Sequence, residues 1–123
     1  MVNKYTATGI AFDAAVRDKR IVVVVPRQQE VREALAIFEQ LELVTDNATT
    51  IKRTNGAERI DFSMGGSIRI RSARQSLRGY AADAIYVEED VVRHTLTSEQ
   101  WERYRIEVMP MLNAHGGELI IGC

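Results

Sequence analysis

The feature that most constrains the fold is an unbroken run of β-branched residues, Ile21 to Val25, which is stopped by Pro26. A strand with one solvated face alternates apolar and polar residues, whereas a strand that is buried on both faces is continuously apolar. The run therefore predicts an interior strand of a mostly parallel sheet that carries helices on both faces. A proline directly after the strand fits a loop that leads into a helix.

A second apolar run, Ala84 to Val87, predicts another buried strand, and three consecutive acids follow it, Glu88, Glu89 and Asp90. Many α/β proteins hold a metal-bound phosphate or a water at the carboxyl end of such a strand. This acidic end is therefore the first candidate site. A third apolar segment, Glu118 to Gly122, predicts a last strand of the same sheet.

Apolar residues at helical spacing predict helices over residues 4–18 and 28–43. A third helix is expected to open at Thr97, because Thr97 and Gln100 have the spacing of a capping box. Its apolar face would include Trp101 and Tyr104, and Pro110 is expected to kink or end it.

Three shorter strands are predicted between the second helix and the acidic strand. Residues 49–54 and 57–63 flank Asn55-Gly56, a strong hairpin signal, and residues 67–72 follow a glycine-rich turn. The last of these strands alternates isoleucine with Arg69 and Arg71, so we expect both arginines on a solvent-exposed face. Glu58 and Asp61 are their candidate ion-pair partners.

These elements predict a single α/β domain over residues 1–123, with three layers and an antiparallel β-meander at one edge of a mostly parallel sheet. The formal net charge is −1, so nucleic-acid binding would need a local basic patch. Four arginines within ten residues are the candidates for contacts with nucleic-acid phosphates: Arg69, Arg71, Arg74 and Arg78.

Other classes of site receive little support. Cys123 is the only cysteine, so no internal disulfide is expected, and His94 and His115 lack the spacing of metal ligands. The sequence contains neither an apolar stretch near the ~20 residues of a membrane span nor a signal-peptide pattern. We therefore expect no membrane partner and a cytoplasmic location.

The order of these motifs resembles the ATPase domain of phage large terminase subunits, the P-loop NTPase motors that package DNA. The likeness is strongest over residues 65–90, GGSIRIRSARQSLRGYAADAIYVEED. It implies a P-loop NTPase-like sheet in the cytoplasm of a bacterial host. It also implies that Glu88 coordinates magnesium in the nucleotide site, that Glu89 is the catalytic glutamate and that Arg78 acts on the nucleotide.

The sequence departs from the family at the phosphate-binding loop, which is glycine-rich and ends in Gly-Lys-Ser/Thr. Residues 3–6 are all that aligns with the end of that loop. Lys4 matches the loop lysine and is the candidate nucleotide-binding residue, but no glycine accompanies it and Tyr5 replaces the hydroxyl ligand. We therefore expect a degenerate site with no resident cofactor, and Mg²⁺ and ATP only if hydrolysis persists.

Three hypotheses remain open. The chain is a terminase-like domain that binds nucleic acid or protein without hydrolysing ATP, or an ATPase completed by another chain, or a structural oligomer. In the family, the strand that precedes the phosphate-binding loop would pair beside residues 118–122. That segment is therefore expected to be an exposed edge that attracts a second copy or a protein partner.

Overall fold

The computed structural model describes residues 2–77, 80–113 and 116–122. The predicted site residue Arg78 lies outside these residues, as do His115 and Cys123. In chain order the elements are α1 (Lys4–Ala15), β1 (Arg20–Val25), α2 (Gln28–Glu39), α3 (Glu42–Asn47), β2 (Ala48–Lys52), β3 (Arg59–Phe62), β4 (Ser67–Ser72), β5 (Ala84–Glu88), a π-helical turn (Val91–Thr95), α4 (Ser98–Asn113) and β6 (Glu118–Gly122).

The described strands form one sheet in the order β2-β3-β4-β1-β5-β6. The four strands β4, β1, β5 and β6 are parallel, whereas β2, β3 and β4 form an antiparallel meander at one edge. This confirms the predicted α/β sheet. The strand that ends in the acidic residues, β5, lies between β1 and β6, the position that the resemblance to terminase ATPase domains implies.

Strand β1 is buried on both faces, which explains its continuous hydrophobicity. Val23 and Val25 pack with α1, α2 and α3, whereas Val22 and Val24 pack with α4 on the opposite face. The three predicted layers are therefore present. On the first face small residues of α1 allow close packing, namely Ala7, Ala11, Ala14 and Ala15.

The chain reverses its direction across the sheet between β1 and β5. From β1 it passes through α2 on one face towards β4, and from β5 it passes through α4 on the other face to β6. In open α/β sheets such a reversal leaves a crevice outside the carboxyl ends of the two strands, and this is where ligands bind. The fold itself thus marks one position for a site.

Asp83 fixes the start of β5 against the start of β1. Its Oδ2 accepts the backbone N–H of Arg20 at 2.8 Å and Nε of the same residue at 3.3 Å. Because these strands are parallel, the clamp at their amino ends sets the register that brings their carboxyl ends together.

Two helix boundaries differ from the prediction. Helix α1 ends at Ala15 rather than at residue 18, since the chain turns through Asp18 in the left-handed conformation, with φ 59°. The predicted helix over residues 28–43 is two helices. Leu41 is extended and buried between them, and its carbonyl accepts the N–H groups of Val44 and Thr45 to begin α3.

Helix α4 begins where the sequence predicts but continues past Pro110. The capping box is confirmed, since Gln100 N–H donates to Thr97 Oγ1 at 3.2 Å and Thr97 N–H donates to Gln100 Oε1 at 2.9 Å. The expectation that Pro110 could end the helix is wrong, because α4 continues to residue 113. Pro110 has no N–H to donate to the Ile106 carbonyl, so the helix continues without that one hydrogen bond.

The hairpin around Asn55-Gly56 is also present, with Gly56 at φ 86° and shorter strands on either side than predicted. Among the described residues, no helix is long and apolar enough to cross a membrane.

Candidate functional site

The three acids at the end of β5 lie in different environments. Glu88 is buried, with 1% of its surface exposed, because the last residue of the strand still lies between the layers. Glu89 is half-buried and forms an ion pair with Arg93 of the π-helical turn at 2.6 Å. Asp90 is exposed. The acidic run in the sequence is therefore not a single carboxylate cluster.

The buried position of Glu88 affects its protonation. Burial is the largest cause and raises the pKa of the Glu88 carboxyl; smaller contributions act in both directions, and the carboxylates of Glu30 and Asp90 are among those that raise it. A raised pKa extends the pH range over which the carboxyl is neutral.

The resemblance implies a magnesium-bound nucleotide at this edge, but the side chains fit that group poorly. The Glu89 carboxylate is held by Arg93. Lys4 is exposed on the first residue of α1, where the Asn3 side chain accepts the N–H of Thr6. We therefore derive no hydrolytic step through these residues.

A cavity of about 490 Å³ opens at the reversal point between β1 and β5. Its walls come from the segments that follow β1, β4 and β5, as the topology predicts. We call this cavity the switch-point crevice, and its lining residues are Pro26, Arg27, Glu30, Arg74, Asp90, His94 and Thr95.

Arg74 is the exposed member of the described arginine set. It makes no hydrogen bond or ion pair with any residue in the described ranges, although it lines the switch-point crevice. It also lines two further cavities of about 420 and 340 Å³ beside α4. The Arg74 guanidinium is therefore accessible to a ligand in any of these three cavities.

Arg71 corrects the expectation of an exposed arginine face, because only 3% of its surface is exposed. Its Nη1 donates to the backbone carbonyls of Glu58 at 2.7 Å and Ile70 at 2.8 Å, and its Nε donates to the Tyr80 hydroxyl at 3.2 Å. The segment after β4 folds back over this face, burying Leu77, and Tyr80 contacts the guanidinium. The alternation of the strand was predicted correctly, but this covering segment was not.

Arg69 and its expected ion-pair partners, Glu58 and Asp61, are also arranged differently from the prediction. Arg69 is half-buried and its guanidinium lies 4.7 Å from the centre of the Tyr80 ring. Glu58 is fully buried and accepts a hydrogen bond from the Gln28 amide at 2.8 Å, and Asp61 pairs with Arg59 at 3.1 Å. The expected ion pairs from Glu58 and Asp61 to the arginines of β4 are therefore wrong.

The predicted exposed edge lies where expected, since β6 pairs only with β5 in the described sheet. Ile121 is 49% exposed, and an apolar groove of about 550 Å³ lies between α1 and the face of β5 and β6. We call this the α1–β6 groove, and its lining residues are Tyr5, Thr6, Thr8, Gly9, Ile10, Phe12, Asp13, Tyr86 and Ile120.

The sequence reasoning missed the crevice residues Arg27, Glu30 and His94 as a group. Part of this grouping could have been predicted, because Arg27 and His94 each lie within a few residues of the carboxyl end of a predicted strand. The hydrophobic pattern does not give the strand order, and it is the strand order that brings these two segments together.

The different surroundings of Arg71 and Arg74 predict opposite effects of removing them. Arg71→Ala removes a buried side chain and its hydrogen bonds to two backbone carbonyls and to the Tyr80 hydroxyl, so we expect it to lower the free energy of unfolding by roughly 2–4 kcal/mol. Arg74→Ala should change it by less than about 0.5 kcal/mol. Urea unfolding of both variants tests this, and an equal effect would contradict the structural role of Arg71.

The buried Glu88 predicts a pH dependence of stability. Its neutral form stabilises the fold fully below the ordinary pKa of about 4.3, and this stabilisation is lost as pH rises through the raised pKa. Glu88→Gln stays neutral, so we expect its stability relative to wild type to increase as pH rises across that window. Urea unfolding at several pH values measures this, with the exposed Glu99→Gln as control. Identical pH profiles for Glu88→Gln and wild type would refute the burial argument.

Comparison with known proteins supports the fold. No protein-family model and no curated sequence matches the chain. Two solved structures of the large terminase ATPase domain of Thermus phage P74-26 are similar, one of a point mutant with TM-score 0.68 and one with TM-score 0.64. Both are 14% identical to this chain and match 97% of it, but the chain spans only 54% and 53% of their lengths. The chain therefore has the fold of a phage large terminase ATPase domain.

Proposed function

We propose that this chain is a terminase-like binding domain that joins a DNA-packaging assembly through its open sheet edge and does not hydrolyse ATP by itself. The observation that carries the proposal is the apolar surface formed by β6 and the outer face of α1. A phage-encoded domain of this kind would act in the cytoplasm of a bacterial host.

The two edges of the described sheet differ in how they are protected. Strand β2 carries polar side chains, including Lys52, and its pairing with β3 is irregular between Ala48 and Thr50. Such features discourage pairing with another chain. Strand β6 has none of them over its apolar centre, Leu119 to Ile121. Its outward backbone N–H and C=O groups therefore favour an added strand.

A second copy of the chain fits this edge. Antiparallel pairing of two β6 strands about a two-fold axis through Ile120 places Ile120 opposite itself and Leu119 opposite Ile121. The Leu119–Ile121 contact is then apolar and occurs twice, and the Ile120–Ile120 contact lies on the axis. Glu118 would face Gly122 of the other copy, so the pairing brings no like charges together.

The outer face of α1 extends the same apolar surface. Tyr5 and Phe12 on α1 are 90% and 44% exposed, and Val16, which caps the helix, is 53% exposed, although the opposite face of α1 is already buried. Tyr5 and Phe12 also line the α1–β6 groove. An exposed apolar patch beside an open strand edge is typical of a protein interaction site.

The absence of independent hydrolysis is proposed from the environment of the carboxylates. Glu88 is buried with a raised pKa, and Glu89 is paired with Arg93. The 123 residues also contain no Gly-Lys-Ser/Thr sequence to bind the phosphates.

ATP hydrolysis within a complex is a second candidate function, because Glu88 and Glu89 end a strand at the positions that the resemblance implies. The leading proposal expects no magnesium-dependent ATP hydrolysis by the chain alone and no effect of Glu89→Gln. A phosphate-release assay checks this. Hydrolysis that Glu89→Gln abolishes would overturn the leading proposal in favour of the enzymatic one.

Substitution at the open edge tests the binding function. Ile121→Lys places a charge where the second copy would pack, so we expect self-association to weaken at least about tenfold. Met64→Lys is the matched control, since Met64 is 70% exposed in the turn between β3 and β4. Sedimentation velocity over a range of concentrations measures both. A wild-type chain that stays monomeric throughout, or equal effects of the two variants, would refute the proposal.

A further inference from the structure

We propose that the switch-point crevice binds a phosphate-bearing ligand through Arg74 and His94. This site adjoins the acidic end of β5, since Asp90 lines the crevice, but it uses two side chains to which the resemblance assigned no nucleotide contact. It is separate from the edge through which the chain is proposed to associate. It does not rest on the proposed function.

The position of the crevice is set by the topology rather than by any single residue. It lies where the segments after β1 and β5 diverge to opposite faces of the sheet, and its volume of about 490 Å³ falls within the range of small-molecule sites. The π-helical turn, closed by the Leu96 N–H to the Val91 carbonyl at 3.0 Å, forms part of one wall. Such turns occur frequently at functional sites.

Two side chains of the crevice are free to bind an anion. Neither Arg74 nor His94 makes a hydrogen bond or ion pair with a residue in the described ranges, and both are exposed. A guanidinium can donate two parallel hydrogen bonds to a phosphate, and an imidazole can donate one more. The two groups come from different segments, so only the folded chain brings them to one cavity.

The acids of the crevice restrict the class of ligand. Glu30 is already met by Arg27, whose Nε donates to it at 3.2 Å. Asp90 also lines the crevice, so two carboxylates lie beside the two cationic groups. These carboxylates repel a small, highly charged anion, so the crevice favours a phosphate that is part of a larger molecule, as in a nucleotide unit.

The phosphate could belong to a polynucleotide or to a free small molecule, and two probes distinguish these sources. Oligothymidylate provides phosphodiesters on a single strand, and thymidine monophosphate provides one free phosphate. We expect the wild-type chain to bind at least one of them. Binding of the strand should weaken as salt increases, and Arg74→Ala should reduce the magnitude of the slope of log affinity against log salt by about 0.7.

The variants test the site directly by isothermal titration. Arg74→Ala should weaken binding of the responding probe by roughly tenfold or more, and His94→Ala should weaken it less. Arg105→Ala is the matched control, because Arg105 is an exposed arginine of α4 that lines none of the cavities described above. Circular dichroism confirms that each variant is folded.

Three results would overturn the proposal. These are failure of the wild-type chain to bind either probe, unchanged binding by both Arg74→Ala and His94→Ala, and an equal loss in Arg105→Ala, which would indicate non-specific attraction. Preferential binding of oligothymidylate would assign the site to nucleic acid, and preferential binding of thymidine monophosphate would assign it to a free nucleotide. Both of these results would support the crevice as a phosphate site.

Discussion

The burial of β1 on both faces is the constraint on which the rest of the structure depends. Val22 and Val24 require an apolar layer on one side, and Val23 and Val25 require one on the other. The helices that supply these layers follow β1 and β5 on opposite faces, so the chain must diverge between the two strands. The burial of this β-branched run therefore explains the crevice at the carboxyl ends of the two strands, which Arg74 and His94 both line.

The arginines after the meander divide into a structural and an accessible group. Arg71 donates to two backbone carbonyls and to the Tyr80 hydroxyl, so its charge holds the segment between β4 and β5 in place. These hydrogen bonds satisfy buried polar groups, and breaking them would lower the free energy of unfolding. Arg74, three residues later, makes no comparable contact within the described chain and lines the crevice instead. One arginine therefore helps to position the segment from which the other reaches the solvent.

The sequence predicted the strands well, because continuous and alternating hydrophobicity report burial directly. It predicted helix ends less well, since the break at Leu41 depends on tertiary burial and not on a local stop signal. For the candidate site, the position of Glu88 was predictable, but its environment was not. Burial of Arg71 depends on a covering segment that carries no periodic pattern, and the grouping of Arg27 with His94 depends on strand order.

The central claim is that β6 is the surface through which this terminase-like domain meets another copy. Hydrogen–deuterium exchange of the β6 amides at low and high protein concentration tests it most directly. The account predicts that the outward-facing amides among residues 119–121, which exchange quickly in the monomer, become protected as concentration rises, while the amides of β2 at the opposite edge do not. Exchange from β6 that is independent of concentration, or protection of β2 instead, would contradict it.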